Sequence, residues 1–319
     1  MSSKAASSRN KTLTLTNEES EIYAAKSLVL TEKVTSNQLC NKTVCGDLFD
    51  TAKYLPDSFA DLLIADPPYN ITKTFGESVF RRSTEAEYRA YTEAWINAVK
   101  HTLKPEASIY VCCDWYSSLV IGDVLSKHFT IRNRITWQRE KGRGSRSNWK
   151  NSCEDIWFAT VGGKYKFNSE RVKLRRKVIA PYKDNGAPKD WTENEFGKFR
   201  DTYASNFWDD ISVPFWSMPE NTSHPTQKPE KLVAKLILAS SDENDFVFDP
   251  FMGSGTVPVT AKKLSRRYLG TEREKMYCAL AEKRIEQADT DTRIQGYEDN
   301  VFWERNTLIN KQIAERNKI

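Results

Sequence analysis

The residues Asp66-Pro67-Pro68-Tyr69 combine an acid, a stiff backbone and an aromatic ring directly after the apolar run LLIA. Neither proline has an N–H to donate, so a sheet strand that reaches them must end there. The Asp66 carboxylate and the Pro67 carbonyl offer two hydrogen-bond acceptors, and the prolines hold that carbonyl in a fixed position. Tyr69 adds a ring face on which a flat heterocycle can stack.

This set of groups suits a reaction at the amino group of a nucleic-acid base. Such an amino group is a poor nucleophile, because its lone pair is delocalised into the ring. Two acceptors aimed at its two N–H bonds draw the lone pair out of conjugation. A base must leave its stack to reach the site, and a tyrosine ring can then hold it. We therefore predict that Asp66, Pro67, Pro68 and Tyr69 form a catalytic set.

A second motif, FVFDPFMGSGT, lies at 246–256. An apolar strand runs into Asp249, a turn with Gly253 and Gly255 follows, and a helix comes next. Glycines let the turn bend sharply and let a ligand approach the backbone, and a helix N-terminus favours an anionic group such as a carboxylate. The next strand, RYLGTE, ends in Glu272, where an acid can accept hydrogen bonds from ribose hydroxyls.

The predicted ligand of this turn is a nucleoside without phosphate. The dinucleotide fingerprint requires a third glycine where this chain has Pro258, and the phosphate-loop pattern requires a lysine that does not follow Gly255. S-adenosylmethionine (AdoMet) fits both absences, because it is a nucleoside that carries no phosphate. For a lone Gly-x-Gly pattern, an ordinary strand-to-helix turn is the alternative.

DPPY at 66–69 and FMGSG at 251–255 resemble the two signature motifs of the amino-group DNA methyltransferases, Asp-Pro-Pro-Tyr and Phe-x-Gly-x-Gly. The catalytic motif precedes the glycine motif, and this order is similar to the β-class arrangement of that family. The segments CGD, NWKNSCEDIWFAT and HPTQKP also agree with the family, and the resemblance spans residues 40 to 285.

The resemblance implies a site-specific transfer of a methyl group from AdoMet to the N6 of an adenine flipped out of duplex DNA. Adenine is favoured because the N4-cytosine members usually carry Ser where this chain has Asp66. N4-cytosine methylation is one alternative. A DNA-binding regulator without catalysis is another, and the intact Asp66 and Tyr69 argue against it. Methylation at cytosine C5 needs a cysteine nucleophile, typically after proline, and no Pro-Cys occurs.

The resemblance also assigns residues to the cofactor. Asp47 would reach the adenine of AdoMet, Phe251 would lie against the cofactor, and Glu272 would hold its ribose. The HPTQKP segment would help to hold the methionine part, although TQKP is also typical of a structural turn. The complete predicted cofactor set is Asp47, Asp66, Thr226, Lys228, Asp249, Phe251, Gly253, Ser254, Gly255, Thr256 and Glu272.

Two basic runs are predicted to contact DNA. The first, 132–150, holds five arginines and two lysines against one glutamate, and the second is RVKLRRK at 171–177. A solvated basic loop is the alternative for the first run, whereas phosphate contacts would make the affinity salt-dependent. We predict that Arg143 or a neighbour fills the gap left by the flipped base. The candidate DNA contacts are Arg139, Lys141, Arg143, Arg146, Arg171 and Arg175.

Strands that alternate with helices predict a Rossmann-like α/β fold, the AdoMet-dependent methyltransferase fold, with a mostly parallel, doubly wound sheet. The spacing of Tyr88, Trp95 and Val99, for example, predicts an amphipathic helix. The predicted segments are a flexible polar arm at 1–35, a catalytic half at 36–165, an irregular target-recognition module at 166–222, and an AdoMet-binding half with a long C-terminal helix at 223–319.

The composition sets further limits. A net charge of +5 permits an anionic partner without requiring one. We expect a cytoplasmic protein, because no apolar run could span a membrane and the first residues lack the apolar core of a signal peptide. Six cysteines without a C-x-x-C predict reduced thiols and no metal site. Duplex DNA is the expected partner, and the sequence leaves open whether two copies pair and whether a restriction endonuclease accompanies them.

Overall fold

The structure, a computed structural model, describes residues 9–76, 78–139, 146–179, 181–194 and 197–305. Its helices are α1 (Asn17–Ala24), α2 (Ser36–Leu39), α3 (Leu48–Thr51), α4 (Glu85–Val99), α5 (Trp115–His128), α6 (Glu230–Ser240), α7 (Thr256–Lys263) and α8 (Lys275–Gln287). Its strands are β1 (Lys42–Cys45), β2 (Ala60–Ala65), β3 (Lys73–Phe75), β4 (Ser78–Phe80), β5 (Leu103–Asp114), β6 (Thr130–Gln138), β7 (Cys153–Thr160), β8 (Leu174–Lys177), β9 (Lys183–Asp184), β10 (Ala187–Pro188), β11 (Thr192–Asn194), β12 (Gly197–Thr202), β13 (Phe207–Trp208), β14 (Phe246–Asp249), β15 (Arg267–Glu272), β16 (Tyr297–Glu298) and β17 (Val301–Trp303).

Eight strands form the central sheet in the order β1-β15-β14-β2-β5-β7-β6-β13. The first five are parallel, β7 is antiparallel to both of its neighbours, and the short β13 is parallel to β6. This mostly parallel sheet confirms the predicted fold class. Because β14 pairs with β2, placing Val247 opposite Leu62, the two sequence motifs leave the sheet side by side.

Helices cover both faces of this sheet, and alternating side chains of β2 reach the two cores. Leu63 packs in one core together with Trp95 of α4. Leu62 packs in the other core together with Leu236 of α6. A parallel strand buried on both faces needs apolar residues at successive positions, which explains the continuous apolar run before Asp66.

A second, five-stranded sheet has the order β11-β12-β8-β17-β16 and differs from the sequence predictions in two ways. The module predicted to be irregular at 166–222 contributes three of its strands. The C-terminal segment, predicted to continue as one long helix, leaves α8 at Gln287 and returns as the hairpin β16–β17. Asp299 and Asn300 both have positive φ (56° and 57°), which is typical of the two-residue turn that joins twisted strands.

Two buried lysines of α6 attach this smaller sheet to the central one. Lys231 and Lys235 each lie 2.7 Å from a carboxylate oxygen of the buried Asp210. Lys231 also donates to the Trp303 carbonyl of β17 at 2.5 Å. The Lys235 ammonium lies 4.9 Å from the ring centre of Trp208 in β13. The start of α6 is therefore connected to both sheets.

The described part of the N-terminal arm lies against the protein, whereas the sequence predicts a flexible arm over 1–35. A capping box at Thr16 begins α1. The Tyr23 hydroxyl donates to Glu286 of α8 at 2.8 Å, and Lys283 of α8 pairs with Glu19 at 2.5 Å. The arm is polar, as the sequence shows, but its polar groups have partners on α8 that lie far away along the chain.

The described helices and side-chain clusters bear on membrane and metal binding. In the described ranges, no helix has the length and apolar character needed to cross a membrane. Over the same ranges, no group of three or more His, Cys, Asp or Glu side chains is placed to hold a metal ion.

We predict that Gly122→Ala destabilises the protein, because Gly122 of α5 packs directly on the Trp157 ring of β7. An added Cβ would overlap that ring, and the ring is held in place by a 3.0 Å hydrogen bond from its N–H to Ser118. We expect the free energy of unfolding to fall by about 1–3 kcal/mol, although alanine has the better helix propensity.

Urea unfolding measures this change. Gly163→Ala is the matched control, because a Cβ at Gly163 has no heavy atom within 4 Å. Equal stabilities of the two variants would contradict the packing of α5 on β7.

Candidate active site

The proline-containing tetrapeptide at the end of β2 is held by the two helices beside it. The Tyr88 hydroxyl of α4 donates to the Pro68 carbonyl at 3.1 Å. The backbone N–H of the buried Asn70 donates to the Ser117 hydroxyl of α5 at 3.0 Å. The Pro67 carbonyl accepts no hydrogen bond from the described residues, so this fixed acceptor is free for a ligand.

Charged and hydroxyl side chains from four segments meet at the Asp66 carboxylate. Asp66 Oδ1 accepts from the Tyr69 hydroxyl at 2.8 Å, and Oδ2 accepts from Lys228 Nζ at 2.6 Å. The same ammonium lies 3.0 Å from the Tyr69 oxygen and 3.4 Å from Glu154 Oε2. Arg139 pairs with the other oxygen of Glu154. Charges of alternating sign therefore run from Arg139 to Asp66.

These contacts fix the protonation states around Asp66. Burial and the Asp66 and Glu154 carboxylates raise the pKa of Tyr69 well above its usual value, so its hydroxyl stays protonated. Burial alone would lower the pKa of Lys228, but the same two carboxylates outweigh it, and the pKa of Lys228 is raised. Burial raises the pKa of Cys112, so no thiolate forms there. Asp66 is therefore surrounded by hydrogen-bond donors at neutral pH.

A cavity of about 450 Å³ joins the tetrapeptide to the glycine turn. The structure thereby brings together almost all of the predicted catalytic and cofactor residues. Those that line the cavity are Asp47, Asp66, Pro67, Pro68, Tyr69, Thr226, Lys228, Asp249, Phe251, Gly253, Ser254, Thr256 and Glu272. Gly255 does not line it.

The two glycines of the turn have different neighbours. Both have positive φ, 53° at Gly253 and 79° at Gly255. A Cβ at Gly253 would lie 3.0 Å from the His224 ring, on the cavity side of the turn. A Cβ at Gly255 would lie 2.7 Å from the Cβ of Ala281 in α8. Gly255 therefore allows the turn to pack on α8, whereas Gly253 keeps the cavity wall open.

Three acids line the cavity beside the glycine turn: Asp249 and Glu272 end β14 and β15, and Asp47 follows β1. Glu272 accepts the backbone N–H of Gly253 at 2.9 Å, and Asp249 accepts that of Phe251 at 3.0 Å. Burial raises the pKa of both Glu272 and Asp249. Asp47 caps the start of α3. The Phe251 ring also lines the cavity.

A buried arginine, Arg284 of α8, holds the glycine turn in place. Its Nη1 donates to the Ser254 carbonyl at 2.8 Å and to the Thr256 hydroxyl at 3.1 Å, and its Nη2 contacts Glu230 at 3.0 Å. The Thr256 hydroxyl donates to the Lys228 carbonyl at 3.1 Å. The predicted cofactor residues Ser254 and Thr256 thus use their polar groups to shape the turn.

Some residues of the site could not be identified from the sequence. No local pattern marks Arg284 and Glu230, because their pairing depends on how α8 packs on α6. One sequence feature could have identified Glu154, because it is an acid at the start of the apolar strand CEDIWFAT. His224 was noticed only as part of HPTQKP, yet its ring lies 4.5 Å from that of Tyr277 in α8.

Three of the residues predicted to contact DNA form ion pairs within the protein. Arg139 pairs with Glu154. Arg171 lies 2.9 Å from Asp242. The Arg175 guanidinium makes two hydrogen bonds, of 2.8 Å and 2.7 Å, to the Asp201 carboxylate. The charge of each of these arginines is therefore partly compensated by an acid of the protein itself.

The other candidate DNA contacts lie in or next to the basic run 132–150. Lys141 and Arg143 lie outside the described residues. Arg146 is exposed and makes no ion pair with the described part of the chain. The contact of Arg146 with DNA stays a prediction.

Comparisons with known proteins agree with this geometry. A sequence profile of a family described as "DNA methylase" matches residues 60–283. The type II methyltransferase M2.DpnII of Streptococcus pneumoniae is 30% identical over 262 residues, covering 76% of this chain and 89% of that protein. The type II methyltransferase M.HpaI of Haemophilus parainfluenzae is 29% identical over 248 residues, covering 77% of this chain and 74% of that protein.

Solved structures share the fold. M1.HpyAVI in complex with SAM has a TM-score of 0.53 at 23% identity and covers 76% of this chain and 98% of its own. The cytosine-N4-specific PvuII DNA methyltransferase has a TM-score of 0.56 at 15% identity and covers 79% and 92%, respectively. At these identities the likeness concerns the fold alone.

We predict that His224 makes the protein less stable as the pH falls from 7 to 5. Burial lowers the pKa of His224 to about 4, from 6.5 in an exposed chain. Between these values the unfolded chain binds a proton that the folded protein does not. The contribution of His224 to stability is therefore complete above pH 6.5 and is lost as the pH approaches 4.

From pH 7 to pH 5 this loss should be about 2 kcal/mol larger in the native protein than in His224→Gln, which has no titrating ring. Urea unfolding of both proteins at the two pH values measures it. If both proteins lose the same free energy of unfolding, His224 is not held neutral by burial.

Proposed function

The chain belongs to the family of N6/N4 DNA methylases, AdoMet-dependent enzymes that methylate an amino group of a base in DNA, and we propose that its target is the N6 of an adenine in duplex DNA. The observation that carries the proposal is the pair of acceptors, the Asp66 carboxylate and the unoccupied Pro67 carbonyl, in one cavity with the glycine turn. Asp66 supports adenine over cytosine, because cytosine-N4 relatives usually carry Ser there.

The residues of the cavity fit AdoMet. The cavity volume, about 450 Å³, lies in the range of small-molecule sites, roughly 300–1,000 Å³. Asp47 and Glu272 offer carboxylate oxygens for the adenine and ribose, and Phe251 offers a ring face. Burial raises the pKa of Asp249, and a cation placed nearby would help to ionise this acid. When bound, AdoMet supplies a methyl group on a positively charged sulfur.

The catalytic residues act on the amino group of the target base. Asp66 and the Pro67 carbonyl accept its two N–H bonds, so that the nitrogen lone pair becomes available to form the new N–C bond. The nitrogen would gain the methyl group as the S–C bond breaks and leaves a neutral sulfide, and the nitrogen would release one proton to water. Tyr69 keeps Asp66 oriented through its 2.8 Å hydrogen bond and offers a ring next to the base. No covalent bond to the protein is required, in agreement with the protonated thiol of Cys112.

The proposed activity also suggests which molecules the protein works with. The relatives are type II methyltransferases by name, so we infer a restriction-modification role, with a companion endonuclease that need not touch this protein. The β-class resemblance favours pairing of two copies. Arg146, together with Lys141 and Arg143, is the proposed contact to DNA phosphate or to the gap left by the base. We expect the protein to act in the cytoplasm, where such DNA is found.

Analysis of the methylated nucleosides tests the target base. Duplex DNA of mixed sequence, incubated with the protein and labelled AdoMet and then digested, should yield N6-methyldeoxyadenosine. Label in N4-methyldeoxycytidine would support the alternative base. No transfer to any duplex would support a DNA-binding regulator and contradict the proposal.

We predict that Asp66→Ala abolishes methyl transfer while AdoMet binding stays largely intact. The substitution removes one acceptor for the amino group and leaves Asp47, Glu272 and the glycine turn unchanged. The turnover number should fall by about 100-fold or more, as on the loss of one preorganised hydrogen-bonding group. Tritium transfer from labelled AdoMet to duplex DNA measures turnover, and equilibrium binding measures the affinity for AdoMet.

The matched control for this substitution is Asp61→Ala on the same strand. Asp61 pairs with Lys104 at 2.8 Å and does not line the cavity. The control should methylate DNA at the native rate. Full activity of Asp66→Ala would contradict the catalytic assignment.

A further inference from the structure

We propose that Lys228 and Glu154 form a positioning pair for methyl transfer, in which Lys228 holds the Asp66 carboxylate in the free enzyme and shifts to Glu154 when the amino group of the base binds Asp66. This inference rests on the proposed function and assigns roles within the same site. It also moves Lys228 from the cofactor, where the family resemblance places it, to the catalytic acid.

Lys228 is buried and held in place beside Asp66. Its side chain is only 9% exposed, and its ammonium lies 2.6 Å from Asp66 Oδ2. Its carbonyl is fixed by the Thr256 hydroxyl, and Pro229 follows immediately as the cap of α6. A buried ammonium needs a carboxylate partner, because an unpaired charge in this environment costs several kcal/mol. Lys228 therefore fixes the direction of the Asp66 carboxylate.

The Asp66 carboxylate must bind both the side chains around it and the amino group of the base. In the structure Tyr69 occupies one oxygen and Lys228 the other. The amino group of the base must also bind this carboxylate, and its nitrogen becomes positively charged until it loses a proton. A lysine ammonium that stayed on the same oxygen would compete with the amino group and repel the developing charge. Lys228 must therefore have another acceptor within reach.

Glu154 is that acceptor. Its Oε2 lies 3.4 Å from Lys228 Nζ, within ion-pair distance but longer than the 2.6 Å contact to Asp66. A small shift of the ammonium therefore exchanges one carboxylate for the other. The Glu154 side chain is 5% exposed, and Arg139 pairs with its second oxygen. No other role in the proposed reaction accounts for a buried acid beside Tyr69.

Several titratable groups surround this pair and enter any pH dependence. These groups are Asp66, Tyr69, Cys112, Glu154, Asp249, Lys73 and His224. Cys112 and Tyr69 stay protonated near neutral pH, and burial lowers the pKa of His224 to about 4. A change in the rate–pH profile on replacement of Lys228 therefore reports on the loss of its charge beside Asp66.

The experiment measures the single-turnover rate of methyl transfer to a saturating duplex at saturating AdoMet, from pH 5.5 to pH 9. We call the low-pH part of the rate–pH profile, where the rate falls, the acid limb. In Lys228→Met the acid limb should move to higher pH by about 1–3 units, the effect expected when a carboxylate loses an adjacent cation. Below the shifted limb the rate should fall by about tenfold or more, since one pH unit corresponds to a factor of ten. The dissociation constant for AdoMet should change by less than about threefold, well below one tenfold step in affinity.

Two further variants separate positioning from folding. Lys228→Arg keeps the charge and should return the acid limb toward its native position. Glu154→Gln should lower the rate across the whole pH range without moving the acid limb to higher pH, because Lys228 then stays on Asp66. The matched control is Asp155→Asn, since Asp155 is the next residue of β7 and accepts from Thr136 at 2.9 Å outside the cavity. This control should keep the native rate and profile.

Three other results would contradict the inference or the proposed function. If Lys228→Met weakens AdoMet binding by tenfold or more and regains the native rate at saturating AdoMet with an unmoved acid limb, Lys228 is a cofactor residue and the inference is wrong. It is also wrong if all variants merely melt at lower temperature with native pH profiles. If the native protein transfers no methyl group to DNA, the proposed function fails instead.

Discussion

The parallel pairing of β14 with β2 is the constraint on which the whole site depends. Leu62 and Leu63 lie opposite Val247 and Phe248, so both strands leave the sheet at its carboxyl edge side by side. Asp66 and the glycine turn thereby share one cavity, although more than half of the chain separates them in sequence. Open α/β sheets bind their ligands at this edge. The order of the strands therefore decides where the group that is transferred and the group that receives it can meet.

Buried cations hold both halves of the site in position. Lys228 connects Asp66 to Glu154, and Arg284 connects the glycine turn to Glu230. Removing a charge from water is costly, so each buried cation stays where its acidic partners can compensate it. The same cost makes the arrangement specific, because few side-chain positions satisfy a cation with two partners. Helix α6 begins directly after Lys228, so its packing determines where the lysine lies.

The smaller sheet is joined to this helix. Lys231, the second residue of α6, contacts both Asp210 and the Trp303 carbonyl, and Lys235 also contacts Asp210. The module between the two motifs and the C-terminal hairpin therefore meet on the helix that positions Lys228. A displacement of the smaller sheet cannot occur without affecting these buried charges. This connection gives the module a direct structural route to the catalytic acid.

The sequence by itself determined the fold class and the two motifs, because these features depend on neighbours along the chain: apolar periodicity, prolines that end a strand and glycines that permit positive φ. It could not determine which charges face each other. Arg171 and Arg175 were predicted to contact DNA from charge density, yet each pairs with an acid distant in sequence. Lys228 was predicted to hold the cofactor, yet it contacts Asp66. Only the tertiary structure decided these pairings, since an ion pair is set by strand order and helix packing, which no local pattern records.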